Sequence, residues 1–238
     1  MSRQAPAWQY DEFRHVGADY ADPAVAEGYD ARHQRLRGDL AAEADHLLDA
    51  LGVQPGQTVI DFGCGTGTLA LQAARRGATV YAVDVSEAML AVARRKAAAA
   101  GIEGIHWFRG GFLTYEHPGD PADCITSSAA LHHLPDFWKL VGLRRLFGML
   151  RAGGRLHLMD TVYSFPVEEH AAFIAAKVAW FSQQVDAEFG DEVATAFREE
   201  YSTLDWVMEG LLRRAGFVIE RANYPDPMLA NYLCRKPG

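Results

Sequence analysis

Hydrophobic residues along the chain alternate between short unbroken runs and stretches with helical spacing. Val59-Ile60-Asp61-Phe62 leads into Gly63-Cys64-Gly65-Thr66-Gly67, which reads as a buried strand, a glycine turn and a helix start. A helix from Thr68 to Arg76 then stops at Gly77, and a second strand, Thr79 to Val83, ends in Asp84. Upstream, Leu36, Leu40, Ala44, Leu47, Leu48 and Leu51 give a helical face within Ala24 to Leu51, closed by Gly52 to Gly56. Downstream, Ser86 is the expected N-cap of a helix reaching Gly101. Strands are predicted at Ile105–Phe108, Asp123–Ser127 and Arg155–Met159, with a helix over Phe137–Leu150. Strand and helix alternating in this way predict an α/β fold, a parallel sheet with helices on both faces.

The rhythm breaks after Asp160. Phe173, Val178, Phe181, Val185 and Phe189 give an amphipathic helix, and Val193, Phe197 and Tyr201 continue its apolar face. This stretch, about residues 165–201, is a helical insertion that the sheet does not need. Ser202-Thr203 is expected to cap a further helix, and Gly216–Ile219 and Leu229–Cys234 a terminal hairpin with Asn223–Pro227 between its strands. Residues 1–35 are aromatic (Tyr10, Phe13, Tyr20, Tyr29) and read as a lid over a main domain of residues 36–238.

Composition narrows the function. The net charge of −8 argues against a nucleic-acid partner, which requires clustered Lys and Arg. No run of 18 apolar residues and no basic amphipathic face exist, so no membrane partner is expected. The residues from Met1 to Trp8 lack the apolar core of a secretory signal, which places the protein in the cytoplasm. Cys64, Cys124 and Cys234 are odd in number and far apart, matching neither a disulfide framework nor a metal spacing.

The candidate chemistry lies around the glycines. Asp84 stands about 20 residues past them, the spacing at which an α/β fold grips an adenosine ribose. The turn is G-x-G-x-G, whereas a dinucleotide fingerprint is G-x-G-x-x-G, its glycines and helix N-terminus facing two phosphates. Asp61 before the turn repels phosphate and suits a cation such as an ammonium or sulfonium. An adenosyl amino acid is favoured over NAD.

Five segments, in order, resemble the motifs of class I S-adenosylmethionine-dependent methyltransferases. They are Val59–Leu71, Val80–Leu90, Ser127–Leu134, Leu150–Leu156 and Leu212–Phe217, within residues 36–235. The resemblance implies a doubly wound Rossmann-like seven-stranded sheet, order 3-2-1-4-5-7-6, mainly parallel with the last strand antiparallel. It implies that Asp61, Gly63, Gly65 and Gly67, with Cys64 and Thr66 in the same turn, surround the methionine part of S-adenosylmethionine. It also implies that Asp84 holds the ribose hydroxyls, that Val85 and Met89 lie against adenine, and that Ser127 and Ala129 stand beside the cofactor. Many members carry an acid after the third strand that reads the adenine amino group. Here glycine stands in its place, leaving backbone groups of Gly111 and Phe112 for that task.

Methyl transfer is an in-line displacement whose acceleration comes mostly from positioning, with a base needed only for a nucleophile of high pKa. His132, His133 and Tyr20 are the candidate catalytic groups. Tyr29, Asp160, Tyr163, Glu200 and Tyr201 are the candidate substrate contacts, and an inward Glu200 would favour a cationic acceptor. His132-His133 lacks the carboxylate and third-ligand spacing of a dedicated metal site, so no metal is expected. The reading is a methyltransferase acting on an O, N, S or C nucleophile of a small soluble metabolite, as monomer or homodimer. S-adenosylhomocysteine would be its product. A non-catalytic cofactor-binding protein and an NAD-linked oxidoreductase are the alternatives.

Overall fold

The computed structural model of the protein describes residues 6–14, 16–17 and 19–238. The stretch expected to be one helix splits at Gly38-Asp39 into α1 (Pro23–Arg37) and α2 (Leu40–Leu51). Asp39 accepts from the Ala41 and Ala42 N–H groups, so a second helix starts where the first would have continued.

The sheet comprises β1 (Thr58–Phe62), β2 (Thr79–Asp84), β3 (Ile105–Arg109), β4 (Ala122–Ser128), β5 (Leu150–Tyr163), β7 (Val218–Asp226) and β8 (Leu229–Arg235), in the order β3-β2-β1-β4-β5-β8-β7. A two-residue strand, β6 (Thr203–Leu204), pairs with the end of β5. Left out of the numbering, it gives the expected order, with the final strand antiparallel to its neighbours. Between the strands lie α3 (Thr68–Arg75), α4 (Glu87–Ala99), α5 (Asp136–Met149), α6 (His170–Gln184), α7 (Ala187–Glu199) and α8 (Asp205–Ala215).

Period-two alternation divides the core. Ile60 and Phe62 of β1 pack with Ile125, Leu143, Leu146 and Leu212 on the α5 and α8 face. Val59 packs with Leu48, Ala70, Ala73 and Leu90 on the α2, α3 and α4 face. Covered on both faces, the strands read as continuous apolar runs, which is what made them visible in the sequence.

Two terminal expectations change. β7 runs through Asp226, so Asn223–Asp226 belong to the strand and the turn shrinks to Pro227-Met228. Ser202 and Thr203 do not cap α8: its N-cap is Leu204 with no side-chain bond, and Thr203 Oγ1 donates to Asp136 instead. Among the described residues no helix is long and apolar enough to cross a membrane.

Candidate functional site

The carboxyl ends of β1 and β4, where the chain reverses its direction of progress across the sheet, form the crevice in which open α/β folds bind ligands. Gly63 has φ +67°, and a Cβ there would fall 2.4 Å from the Ala130 Cβ. Only glycine lets the first loop pass so close to the fourth. Asp84 fastens the turn from the neighbouring strand: Gly65 N–H donates to Oδ2 and Ser86 N–H to Oδ1, each at 2.8 Å. The hydroxyl of Ser86 caps α4 at the Met89 N–H and also donates to the Tyr20 carbonyl at 2.5 Å.

Asp61 accepts from Thr126 Oγ1 at 2.8 Å and has no cationic partner among the described residues. Burial pushes its carboxyl up to about 7; the Thr126 bond opposes this, and the Asp84 charge adds to it. Burial likewise raises Asp84, held back by its backbone N–H bonds. Two buried carboxylates on adjacent strands favour a ligand that brings positive charge and hydroxyl donors.

A cavity of about 420 Å³ opens beside them, lined at this end by Gly63, Gly65, Asp84, Val85, Met89, Gly111, Phe112 and Ala129. An adjoining cavity of about 220 Å³ shares Tyr29, Gly63, Gly65 and Ser128 and adds Asp61, Cys64 and Thr66. Two residues tied to the cofactor in the sequence reading reach neither cavity. Ser127 is fully buried on the Ile125 face of β4, opposite to Thr126 and Asp61, with its Oγ unpartnered. Gly67 packs against α4 and β3 instead, where a Cβ would meet Ala93 at 2.9 Å and Trp107 at 3.1 Å.

Segments far away in sequence build the other walls. Tyr20 and Tyr29 meet edge to face at 5.9 Å, and Tyr20 also meets His133 at 6.4 Å. Both phenols are pushed up by burial, so they stay neutral donors. α6 buries no residue and α7 only Gly190. Yet Phe181, Phe189, Glu192, Val193 and Phe197 from this pair line the cavity, as does Tyr163.

At the mouth of β4 and β5, His132 Nδ1 lies 2.5 Å from Asp160 Oδ1, which also accepts the Thr161 N–H at 2.8 Å. His132 Nε2 lies 3.4 Å from Glu200 Oε2. Burial alone depresses the imidazolium, but Asp160 and then Glu200 outweigh it, and the net shift of His132 is upward. Burial raises Glu200, opposed by His132.

His132, His133 and Glu200 all line the large cavity, whereas Asp160 is fully buried behind His132 and acts only through it. Tyr201 is also outside the cavity. Its N–H donates to the His132 carbonyl, its carbonyl accepts from Lys139, and its ring meets Tyr10 edge to face. These bonds hold Glu200 against the histidine turn. The spacing argument against a metal also fails, because the fold brings Glu200 to the two histidines, with donor atoms within 4.8 Å of one another.

Sequence reasoning missed Glu12 and Asp30. Glu12 is buried in the cavity wall, accepting from Leu113 N–H and Thr114 Oγ1. Asp30 of α1 receives Thr66 Oγ1 and Lys96 Nζ, each at 2.5 Å, closing α1 over the glycine turn. Neither has a local signal, since the partners of each lie tens of residues away.

Comparison with known proteins places this geometry. Residues 59–154 match a family described as "Methyltransferase domain". An uncharacterized methyltransferase of Geobacillus thermodenitrificans is 32% identical over 205 residues, spanning 86% of this chain and 87% of the relative. Among solved structures, a SAM-dependent methyltransferase of Aquifex aeolicus superposes with TM-score 0.63 at 18% identity, covering 90% of this chain and 98% of that one. Magnesium protoporphyrin IX methyltransferase of Synechocystis, solved with bound SAH, gives 0.64 at 21% identity, covering 91% and 97%.

Proposed function

The chain belongs to the methyltransferase family, and from that premise we propose that it methylates a small-molecule acceptor using S-adenosylmethionine. The observation that carries this reading is the pair Asp61 and Asp84. Asp61 has no cationic partner among the described residues, and its carboxyl is pushed up to about 7, so an incoming ammonium relieves a desolvation cost already present. Asp84 offers carboxylate oxygens to ribose hydroxyls, and Val85 and Met89 offer an apolar wall to a base. Bound, the cofactor supplies an activated methyl group. The carboxylates do not suit a pyrophosphate, which disfavours a dinucleotide.

The acceptor side is apolar in body and polar at one end. Phe181, Phe189, Val193 and Phe197 form a wall for a hydrophobic acceptor, and His132 with Glu200 is the polar end. Asp160 holds the His132 Nδ1 proton and so directs Nε2 into the cavity, the orientation a general base requires. The reading is methylation of an ionisable O–H or N–H: His132 takes the proton, and Glu200 favours an acceptor carrying positive charge or further donors. The N-terminal segment and the α6–α7 pair act as the two covers that exclude water. Three cysteines that are free and buried accord with a reducing, cytoplasmic compartment.

The test is incubation with methyl-labelled S-adenosylmethionine and a metabolite extract, with the labelled product identified by mass. A His132→Ala variant that keeps cofactor affinity yet loses transfer supports the assignment. Transfer at the wild-type rate by that variant refutes the role of His132.

A further inference from the structure

Glu12 reaches a place in the cavity wall that Gly111 leaves open. A Cβ added at Gly111 would fall 2.4 Å from Glu12 Oε2 and 3.0 Å from Val85 Cγ1. The glycine is needed there for space, and the volume its side chain would occupy is filled by a carboxylate from the N-terminal segment. Leu113 N–H donates to Oε2 at 3.0 Å and to Oε1 at 3.2 Å, and Thr114 Oγ1 donates to Oε1 at 2.6 Å. An ionised carboxylate has about four lone-pair sites. Among these contacts Oε1 accepts two and Oε2, the oxygen nearest Gly111, accepts one.

Building this arrangement has a cost. Glu12 is only 9% exposed, and burial raises its carboxyl, opposed by the Thr114 and backbone bonds and by the Arg145 charge. Arg145 acts on it only at a distance, its ion pair being with Glu116. A buried carboxylate in the cavity lining, at the end of the wall that runs from Asp84 through Val85, calls for a donor from the ligand.

We propose that Glu12 selects the base of the bound nucleoside by accepting from an exocyclic amino group, so that an amino-bearing purine is taken and a 6-oxo purine refused. This rests on the cofactor reading above. At that edge adenine offers N–H donors, whereas a 6-oxo base presents an acceptor that would face the carboxylate lone pair to lone pair. Because the acid is carried by the N-terminal segment, recognition of the base also ties that segment over the cavity.

Isothermal titration of the full chain with S-adenosylhomocysteine and its 6-oxo counterpart, S-inosylhomocysteine, tests this. The wild-type chain should prefer the amino form about ten- to a hundredfold, the range of one charge-assisted hydrogen bond. Glu12→Gln should bring the two affinities close to equality, since an amide serves either edge. A Glu12→Ala, Gly111→Asp double variant puts the carboxylate on the other strand of chain, and it should regain the preference. An unchanged ratio in Glu12→Gln, with both ligands weakened alike, overturns the proposal and leaves Glu12 a latch. Equal affinities in the wild-type chain also overturn it. Binding of neither ligand overturns the cofactor reading and this inference together.

Discussion

With Asp61 facing the cofactor's cation, as proposed above, cofactor binding is expected to depend on pH. In the free protein its carboxyl lies at about 7, against an ordinary 3.8, and burial is the main cause. That displacement of about three pK units corresponds to roughly 4 kcal/mol favouring the protonated form. A cationic ligand group beside it returns the carboxyl to its ordinary range, so binding must expel a proton wherever the free protein still holds one. Affinity then scales as the ionised fraction: about half of its limit at pH 7 and about one-tenth at pH 6, with near-complete recovery at pH 8.

Titration with S-adenosylhomocysteine at pH 6 in two buffers of different ionisation enthalpy should register release of about 0.9 proton per site, against about 0.1 at pH 8. Asp61→Asn, which keeps an acceptor for Thr126 Oγ1, should bind more weakly at pH 8 and lose the release at pH 6. The same carboxyl bears on stability with the opposite sense. Its folded pKa exceeds its unfolded one, so the folded state holds the extra proton between about pH 4 and 7, and stability falls as pH rises through that window. The ligand-free Asp61→Asn variant should therefore melt higher than wild type at pH 8. Equal proton release in the variant and the wild type would refute the assignment of the cation to Asp61.

Other outcomes test the acceptor end. His132→Ala should lower kcat by about 10²–10⁴-fold with little change in cofactor affinity. The wild-type rate should rise with pH through the raised His132 pKa, since only neutral imidazole accepts a proton; Asp160→Asn should move that limb to lower pH in a pH–rate profile. Glu200→Gln should raise KM for the acceptor about tenfold while changing kcat little, and unaltered acceptor affinity would remove the cation preference. With His132 as base, overnight chelation should leave steady-state transfer unchanged. A loss restored by one divalent ion would instead assign His132, His133 and Glu200 as its ligands.

The sequence alone determined what short-range patterning encodes. The apolar pairs and runs of β1 (Val59-Ile60) and β2 (Val80–Val83) were legible because a strand covered on both faces carries apolar residues on both. The turn at Gly63–Gly67 and the acid at Asp84 were legible because a loop passing this close to Ala130 accepts no side chain at Gly63, and because Asp84 must meet the Gly65 N–H. Tertiary structure alone decided which side chains share the cavity. Strand alternation turned Ser127 away from it, and burial placed Asp160 behind His132. The C-terminal end of α7 carried Glu200 to His132, and the N-terminal segment brought Glu12 to Gly111. Those meetings join residues tens of positions apart, and closing such a loop leaves no periodicity or local composition by which the partner can be read.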